Sequence, residues 1–571
     1  MELPFGRGWH VHKPFSCFSY SLFSTRGSRY PAWLALNIWT TRNVVAALAL
    51  VAAAWLVLAW PWLSGSVTIP YDAKAHFQAQ LQFLATALHS GQSPFWSPNV
   101  FAGTPQIADP QSLIFSPFLL LAALTPHPSF RALDIYVLGL LLMGAGAIVL
   151  IFRDRGWHPA GAVVAALAFA FGASAAWRIQ HIGQIESFSF FAMALWALLG
   201  AMDRRSLAWS ALAGLMAALM CVEPDQIAFL GMLLLGGIGL ASAFETRNRD
   251  VPLKRLIAMA AIAAMVFLAV VAVPLTLTAL FAEASNRPDV SYAEAARASL
   301  HPAALLTALF GDLFGAGNPA IAFWGPSSRS WDPANLALSQ NMIQLYAGAL
   351  PALAVVVFGI SRGLIWSRQI RVLTGALVFA ILYALGSATP LFRLLFEALP
   401  GVSAFRRPAD ATFMIGGLGA IVAGYVVHRF ASGQMPEASK RRLVLEGLAV
   451  LLLVAVAAGV AVDSGKLELA QKPLELATLW LALAALVLAA LARLGPAMPM
   501  TAAMLAGLLM VADLSANNGP NGSTALPPQA YDLLDPNCRN ETIGLIKRLT
   551  RAGMGVCQGR RCRDQVAMLL A

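Results

Sequence analysis

The chain is 571 residues long, 58% hydrophobic and only 12% charged, with a mean hydropathy of +0.68. Soluble domains carry about 25% charged residues, so this composition excludes a soluble globular protein and points to an integral membrane protein. The net charge of +11 says little about nucleic acid, because a cytoplasmic membrane surface attracts Lys and Arg in the same way.

Residues 1–43 read as a basic, aromatic-rich cytoplasmic extension with Arg7, Lys13, Arg26, Arg29 and Arg42, or as the product of a misassigned start codon. The first apolar run, 44–63, is long enough to span a bilayer and longer than a signal-peptide core. Directly after it comes Tyr71-Asp72-Ala73-Lys74-Ala75-His76-Phe77-Gln78-Ala79-Gln80. A helix over 72–88 would put Phe77, Leu81, Leu84 and Leu88 on one face suited to the membrane interface, and Asp72, His76 and Gln80 on a polar stripe. Asp72 reads either as a helix N-cap or as a carboxylate placed where a lipid-linked substrate can meet a water-soluble acceptor. Asp109, between prolines and glutamines, is a second acid, a metal ligand or a turn residue. The short run 116–125 reads as a re-entrant or interfacial helix.

Further apolar runs at 133–152, 159–176, 187–202, 206–222, 226–244, 256–280, 341–360, 372–388, 411–429, 443–462, 474–492 and 497–512 bring the expectation to about thirteen spans. Alternate short loops carry the arginines and lysines: Arg153 and Arg155, Arg204 and Arg205, Lys254 and Arg255, Arg362 to Arg371, Lys440 to Arg442, and Arg493. The positive-inside rule then places the N-terminus inside and the loops at 64–132, 281–340 and 389–410 outside. The tail after 512 would be external; its many basic residues lie too far from the last span to set topology. Five cysteines (Cys17, Cys221, Cys538, Cys557 and Cys562) give no disulfide framework and no zinc spacing.

Unusual polar residues collect on the outer side. Arg178, His181, Gln184 and Glu186 form one group, and Glu223-Pro224-Asp225-Gln226 another. Ionisable groups at membrane depth tend to mark substrate paths, although residues at span ends also snorkel to the interface. Arg406 and Arg407 suit either a bound phosphate or lipid headgroups. The glycine runs near 144 and 416 fall inside spans, so no nucleotide fingerprint is supported. Phosphate-binding P-loops and serine nucleophile elbows are also missing, and an activated substrate would have to arrive through the membrane.

The run Asp72…Phe77…Gln80, Gly91…Pro94…Trp96, Gly103…Pro105, Ala108-Asp109-Pro110-Gln111 and Ser116-Pro117 resembles the first external loop of YfhO-type bacterial membrane proteins, relatives of the GT-C class of polytopic glycosyltransferases. Glu223-Pro224-Asp225-Gln226, Tyr346-Ala347-Gly348-Ala349-Leu350-Pro351 and Phe405-Arg406-Arg407-Pro408 carry the same resemblance, which covers roughly residues 44–535. It implies an all-α, GT-C-like membrane domain over 44–512 with interfacial or re-entrant helices in the first external loop, in the bacterial inner membrane. It implies transfer of a sugar from a polyprenyl-phosphate donor to an envelope or lipid-linked glycan on the outer face. Asp72 would be the catalytic base or acceptor-orienting carboxylate, and Arg406 and Arg407 would meet the lipid phosphate. His76, Gln80, Asp109, Glu223, Asp225 and Gln226 are further substrate-binding candidates. It fixes no cofactor: members of the class differ in their use of a divalent metal such as Mg or Mn, for which Asp72 and Asp109 are the candidate ligands. Chains of this kind continue into an external domain; the tail here, 513–571, ends at Ala571, as a truncated or frame-shifted tail would. A transporter or flippase for lipid-linked glycans, and a non-catalytic envelope assembly factor, are the alternative readings.

Overall fold

The computed structural model describes residues 38–98, 103–247, 251–284, 290–317, 322–329, 331, 338–436 and 439–531. The N-terminal extension up to residue 37, four of the five cysteines (all but Cys221) and the basic tail beyond 531 lie outside the described residues. Within them the chain is helical, with two isolated β-bridges and no sheet. Among the described residues ten helices are long and apolar enough to cross a membrane. Three shorter apolar helices, Leu207–Cys221, Ala349–Gly359 and Arg371–Ala384, fall where the sequence suggests the other spans. The protein is a multi-pass membrane protein.

The first helix, α1 (Thr41–Leu63), leads into the external loop. That loop folds as a π-helical turn, Ala73–Phe77, followed by α2 (Gln78–His89) and the short α3 (Phe118–Leu124). Next come α4 (Phe130–Asp154), α5 (Pro159–Phe171), α6 (Ala173–Trp177), α7 (Ile182–Arg204), α8 (Leu207–Cys221), α9 (Gln226–Arg247) and α10 (Leu253–Ala284). After the outer loop, with its short α11 (Tyr292–Ala296), the chain forms α12 (Ala349–Ala352), which continues as a π-helical stretch, Leu353–Gly359. It ends with α13 (Arg371–Ala384), α14 (Pro390–Ala398), α15 (Thr412–Ala431), α16 (Lys440–Asp463), α17 (Leu467–Leu494) and α18 (Pro499–Asn517).

The axis of the bundle is α5, every residue of which is buried. It packs against α4, α15 and α18. Small residues permit this: a Cβ at Gly161 would collide with the Gly424 carbonyl of α15, and one at Gly424 with the Gly161 carbonyl. Without a hydrophobic drive between helices in lipid, such close backbone approach supplies much of the packing energy. By contrast α10 and α16 are only 11% buried over their most apolar stretches; they form the lipid-facing rim.

The expected helix over 72–88 is present, but its apolar face does not lie free for the membrane. Phe77, Leu81 and Leu84 are buried in the protein core, while Leu88 is exposed. Two side-chain amides explain the orientation, since Gln78 and Gln82 both donate to the Pro128 carbonyl at 2.6 and 2.8 Å. Lys74 adds a buried ion pair to Asp134 of α4 at 2.6 Å. The expected span at 341–360 opens with a 3-10 turn, Gln340–Ile343, and becomes α-helical only from Ala349. Gly348, at φ 107°, precedes it, and Asp513 caps the new helix by accepting from Ala349 N at 2.7 Å.

The two ends of the bundle differ in charge. At one end lie the pairs Arg153–Asp154, Arg155–Asp203, Arg362–Glu446 and Arg371–Glu245. The other end gathers the first external loop, the α6–α7 and α8–α9 turns, and the segment before α15. It also takes residues 518–531: Thr68 bridges Leu526, and Trp62 Nε1 donates to the Thr524 carbonyl at 3.2 Å. The beginning of the tail is thus built into the body of the protein.

Candidate active site

Asp72 opens the π-helical turn, directly after a strained residue. Tyr71 has φ 54°, a left-handed conformation that costs a non-glycine residue of order 1–3 kcal/mol. Three contacts with the segment after the last helix hold it there. Tyr71 N donates to Tyr531 Oη at 2.8 Å, Tyr71 Oη donates to the Gly522 carbonyl at 2.7 Å, and the Thr68–Leu526 bridge fixes the approach.

The Asp72 side chain is 56% exposed and its Oδ2 lies 3.3 Å from His181 Nδ1. This hydrogen bond is the main reason the Asp72 carboxyl falls below its ordinary range. Burial opposes it, and the charges of His181, His76 and Arg407 reinforce it. Burial in turn pushes the His181 imidazole below its usual value, against the pull of Asp72. At neutral pH the pair is therefore a carboxylate facing a neutral imidazole that donates through Nδ1.

Behind His181 stands a buried polar frame. Arg178, fully buried between α6 and α7, reaches Asp410 and Gln184 through Nη2 at 2.7 Å each. Its guanidinium lies over the Phe413 ring, 4.9 Å from the centroid. Gln184 Nε2 completes the triangle to Asp410 at 3.4 Å. A buried cation with one carboxylate, one amide and one ring as neighbours is held in a single geometry, and it fixes the turn that presents His181.

A group of buried acids adjoins this frame. Glu186 accepts from Ser116 Oγ at 2.6 Å, tying the lead-in of α3 to α7. Asp225 accepts from Ala228 N at 2.7 Å and so caps α9. Gly183 faces the acids: a Cβ there would sit in ordinary contact, 3.5 Å from Glu223 Oε2 and 4.0 Å from Asp225 Oδ2. Burial pushes the Glu223 carboxyl well up, and the charges of Glu186, Asp225 and Asp109 push it further. Asp225 is pushed up to about 7, again first by burial and also by the charge of Asp410. Gln226, also buried, lies beside Tyr383.

Of the residues singled out in the sequence, Asp72, His76, Glu223, Asp225, Gln226 and Arg407 come together at this end. The two arginines part company. Arg407 is close enough for its charge to act on both Asp72 and Arg178. Arg406 is 43% exposed and turns toward Glu294 at 3.8 Å. Asp109 closes a turn, its Oδ1 accepting from Gln111 N at 2.9 Å. Gln80 is half-buried on α2 and takes no part in the site's hydrogen bonds among the described residues. Asp410 is the member sequence reasoning missed; the available signal was an acid two residues after Pro408, at the mouth of an apolar run.

Among the described residues no group of three or more His, Cys, Asp or Glu side chains is arranged to hold a metal ion. A divalent cation takes about six or more oxygen ligands, several of them carboxylates or waters. Asp72 is engaged by His181 and Asp109 by its own turn, so these two do not assemble such a set.

No family model and no curated protein matches the chain. Among solved structures it is similar to ArnT from Cupriavidus metallidurans in the apo state, with TM-score 0.46 and 14% identity over 88% of this chain and 80% of that one. ArnT bound to undecaprenyl phosphate gives TM-score 0.44 and 14% identity, over 84% of this chain and 78% of that one. The arabinosyltransferase EmbB from Mycobacterium smegmatis gives TM-score 0.40 and 16% identity, over 87% of this chain and 42% of that one. At these scores and identities the likeness assigns no residue and no reaction.

Proposed function

We propose that this protein is a membrane glycosyltransferase of the GT-C type, close to the YfhO-type proteins it resembles in sequence. It would move a sugar from a polyprenyl-phosphate donor to an envelope or lipid-linked glycan at the outer face of a bacterial inner membrane, with its N-terminus inside. The observation that carries the reading is the pairing of Asp72 with His181 within reach of the charge of Arg407.

Each part has a chemical task. The ionised, half-exposed Asp72 takes the proton of an acceptor hydroxyl as that oxygen attacks the anomeric carbon. As the new C–O bond forms, the bond from C1 to the phosphate oxygen breaks, and the phosphate leaves with the electron pair. Arg407 stabilises the developing charge on that phosphate. His181 keeps Asp72 oriented and ionised, and Arg178 with Asp410 keeps His181 in place. The tail segment through Tyr531 clamps Tyr71 and so fixes where Asp72 begins.

The reading is tested with full-length protein in proteoliposomes supplied with a radiolabelled polyprenyl-phosphate sugar and a glycan acceptor. Wild type should transfer label and Asp72→Asn should not, with expression and melting temperature unchanged. Undiminished transfer by the variant would sink the assignment.

A further inference from the structure

A second concave feature opens on the same end of the bundle, an open groove of about 560 Å³ bounded by residues 293–302, by Pro326, Ser327 and Trp331, and by residues 385–388. That size is within the usual range of small-molecule sites, about 300–1,000 Å³. Its wall is shared with the site described above. Ala409 N donates to the Ala298 carbonyl at 3.2 Å, Leu300 N to Ala384 at 2.8 Å, and Ser387 N to Ser299 Oγ at 2.9 Å.

The groove has a fixed aromatic wall. Trp331 is half-buried, and its Nε1–H is already spent on the Trp324 carbonyl at 2.6 Å. The indole is packed edge-on against Phe314 and against His301, whose ring centroid lies 5.1 Å away. A tryptophan held by its polar atom and both neighbours presents a rigid apolar surface at little entropic cost on binding. The polar complement is fixed as well. His301 Nδ1 accepts from Ala303 N at 3.1 Å. The neutral ring therefore carries its proton on Nε2, which leaves that nitrogen as a donor. Burial holds this imidazole below its ordinary value, which favours that neutral form. Arg297, Ser299 and Ser387 add a guanidinium and two hydroxyls to the lining.

An apolar plate beside several neutral and charged hydrogen-bonding groups suits a ligand with one C–H-rich face and a rim of hydroxyls. We propose that this groove is a saccharide-binding subsite in which a pyranose ring lies against Trp331 with its hydroxyls toward His301, Arg297 and Ser387. Its role, holding the sugar end of the glycan acceptor, rests on the glycosyltransferase reading; the binding itself does not.

The test uses full-length protein in nanodiscs and saturation-transfer NMR with methyl β-glucoside, methyl β-galactoside and methyl N-acetyl-β-glucosaminide at millimolar concentration. At least one probe should receive saturation on its ring C–H protons. Trp331→Ala should weaken that signal by about tenfold in affinity, and Trp331→Phe should keep most of it. Ala388→Trp, which obstructs the exposed rim without removing a contact, should also abolish it with the melting temperature unchanged. Wild-type protein that binds a probe but transfers no labelled sugar in the proteoliposome assay would fault the glycosyltransferase reading and leave the groove standing. No saturation of any probe, or saturation indifferent to both Trp331→Ala and Ala388→Trp, would overturn the proposal.

Discussion

The carboxylate of Asp72 and the imidazole of His181 face each other at 3.3 Å across the junction of the first external loop and α7. Because the His181 hydrogen bond is what chiefly depresses Asp72, removing it should raise the Asp72 pKa toward its ordinary value. If ionised Asp72 is the base, the acid limb of kcat/KM in wild type lies below the ordinary carboxylate range. In His181→Ala the limb should move to higher pH, and in His181→Gln, which keeps a donor, it should move less. Asp72→Asn should lower kcat by about 10²–10⁴-fold, the usual worth of a general base. A limb that stays in place in His181→Ala would remove Asp72 from the role of base.

The sequence treats Arg406 and Arg407 alike, and the structure separates them. Arg407 acts on Asp72, whereas Arg406 is half-exposed with a distant acid for a neighbour. Arg407→Gln should raise the KM for a lipid-phosphate donor by roughly 10–100-fold, since a hydrogen bond to a charged group is worth about 1.5–3 kcal/mol. Arg406→Gln should change it by less than about fivefold, as an exposed ion pair is worth about 1 kcal/mol at most. Donor titrations of the two single variants decide this. Equal effects would mean that the positions act through general surface charge.

Lys74 and Asp134 join the first external loop to α4 through a pair with side-chain exposures of 0% and 1%. Thr68 Oγ1 also donates to Asp134, at 2.6 Å. Lys74→Met should leave a buried carboxylate unpaired and cost roughly 3–5 kcal/mol, read as a large drop in melting temperature in detergent. Lys74→Met combined with Asp134→Leu removes both charges and should recover much of that loss. Lys74 is two residues from Asp72, so the single variant should also lose transfer activity at temperatures where it remains folded.

The apolar runs were long enough to reveal the ten helices able to cross a membrane and the three shorter apolar ones. Asp72, Glu223 and Asp225 stood out because acids beside long apolar runs need a reason to be there. Other features depend on pairings between distant segments. Nothing local to Lys74 or Asp134 signals that 60 residues of intervening chain close into one buried ion pair. Nor does the helical spacing of Phe77, Leu81 and Leu84 say whether lipid or protein will cover them; Gln78, Gln82 and Lys74 decide that by tying the helix to α4 and the turn before it. The same holds for Asp410, whose role exists only because α6 delivers Arg178 to it, and for Tyr71, whose left-handed conformation is imposed from residues 522–531.

The buried acids give a stability profile with a definite sign. Burial raises the folded-state pKa of Asp225 from the ordinary 3.8 to about 7, and Glu223 is raised as well. A carboxyl whose folded pKa is raised contributes stability that is full below its unfolded pKa and lost as pH rises through the folded value. Between about pH 4 and pH 7 folded Asp225 holds a proton that the unfolded chain has already released, so the protein should become progressively less stable as pH rises. Asp225→Asn keeps the size of the side chain and removes the titration, although its amide must still cap α9 through the oxygen that accepts from Ala228 N. The variant should melt at a temperature that falls less steeply over this window than that of wild type, with Glu223 left as the residual source of slope. Thermal unfolding in one detergent at a series of pH values measures this directly. A wild-type melting temperature that rises from about pH 5 to pH 7, with Asp225→Asn unchanged in slope, would show that the acids are solvated and ionised throughout.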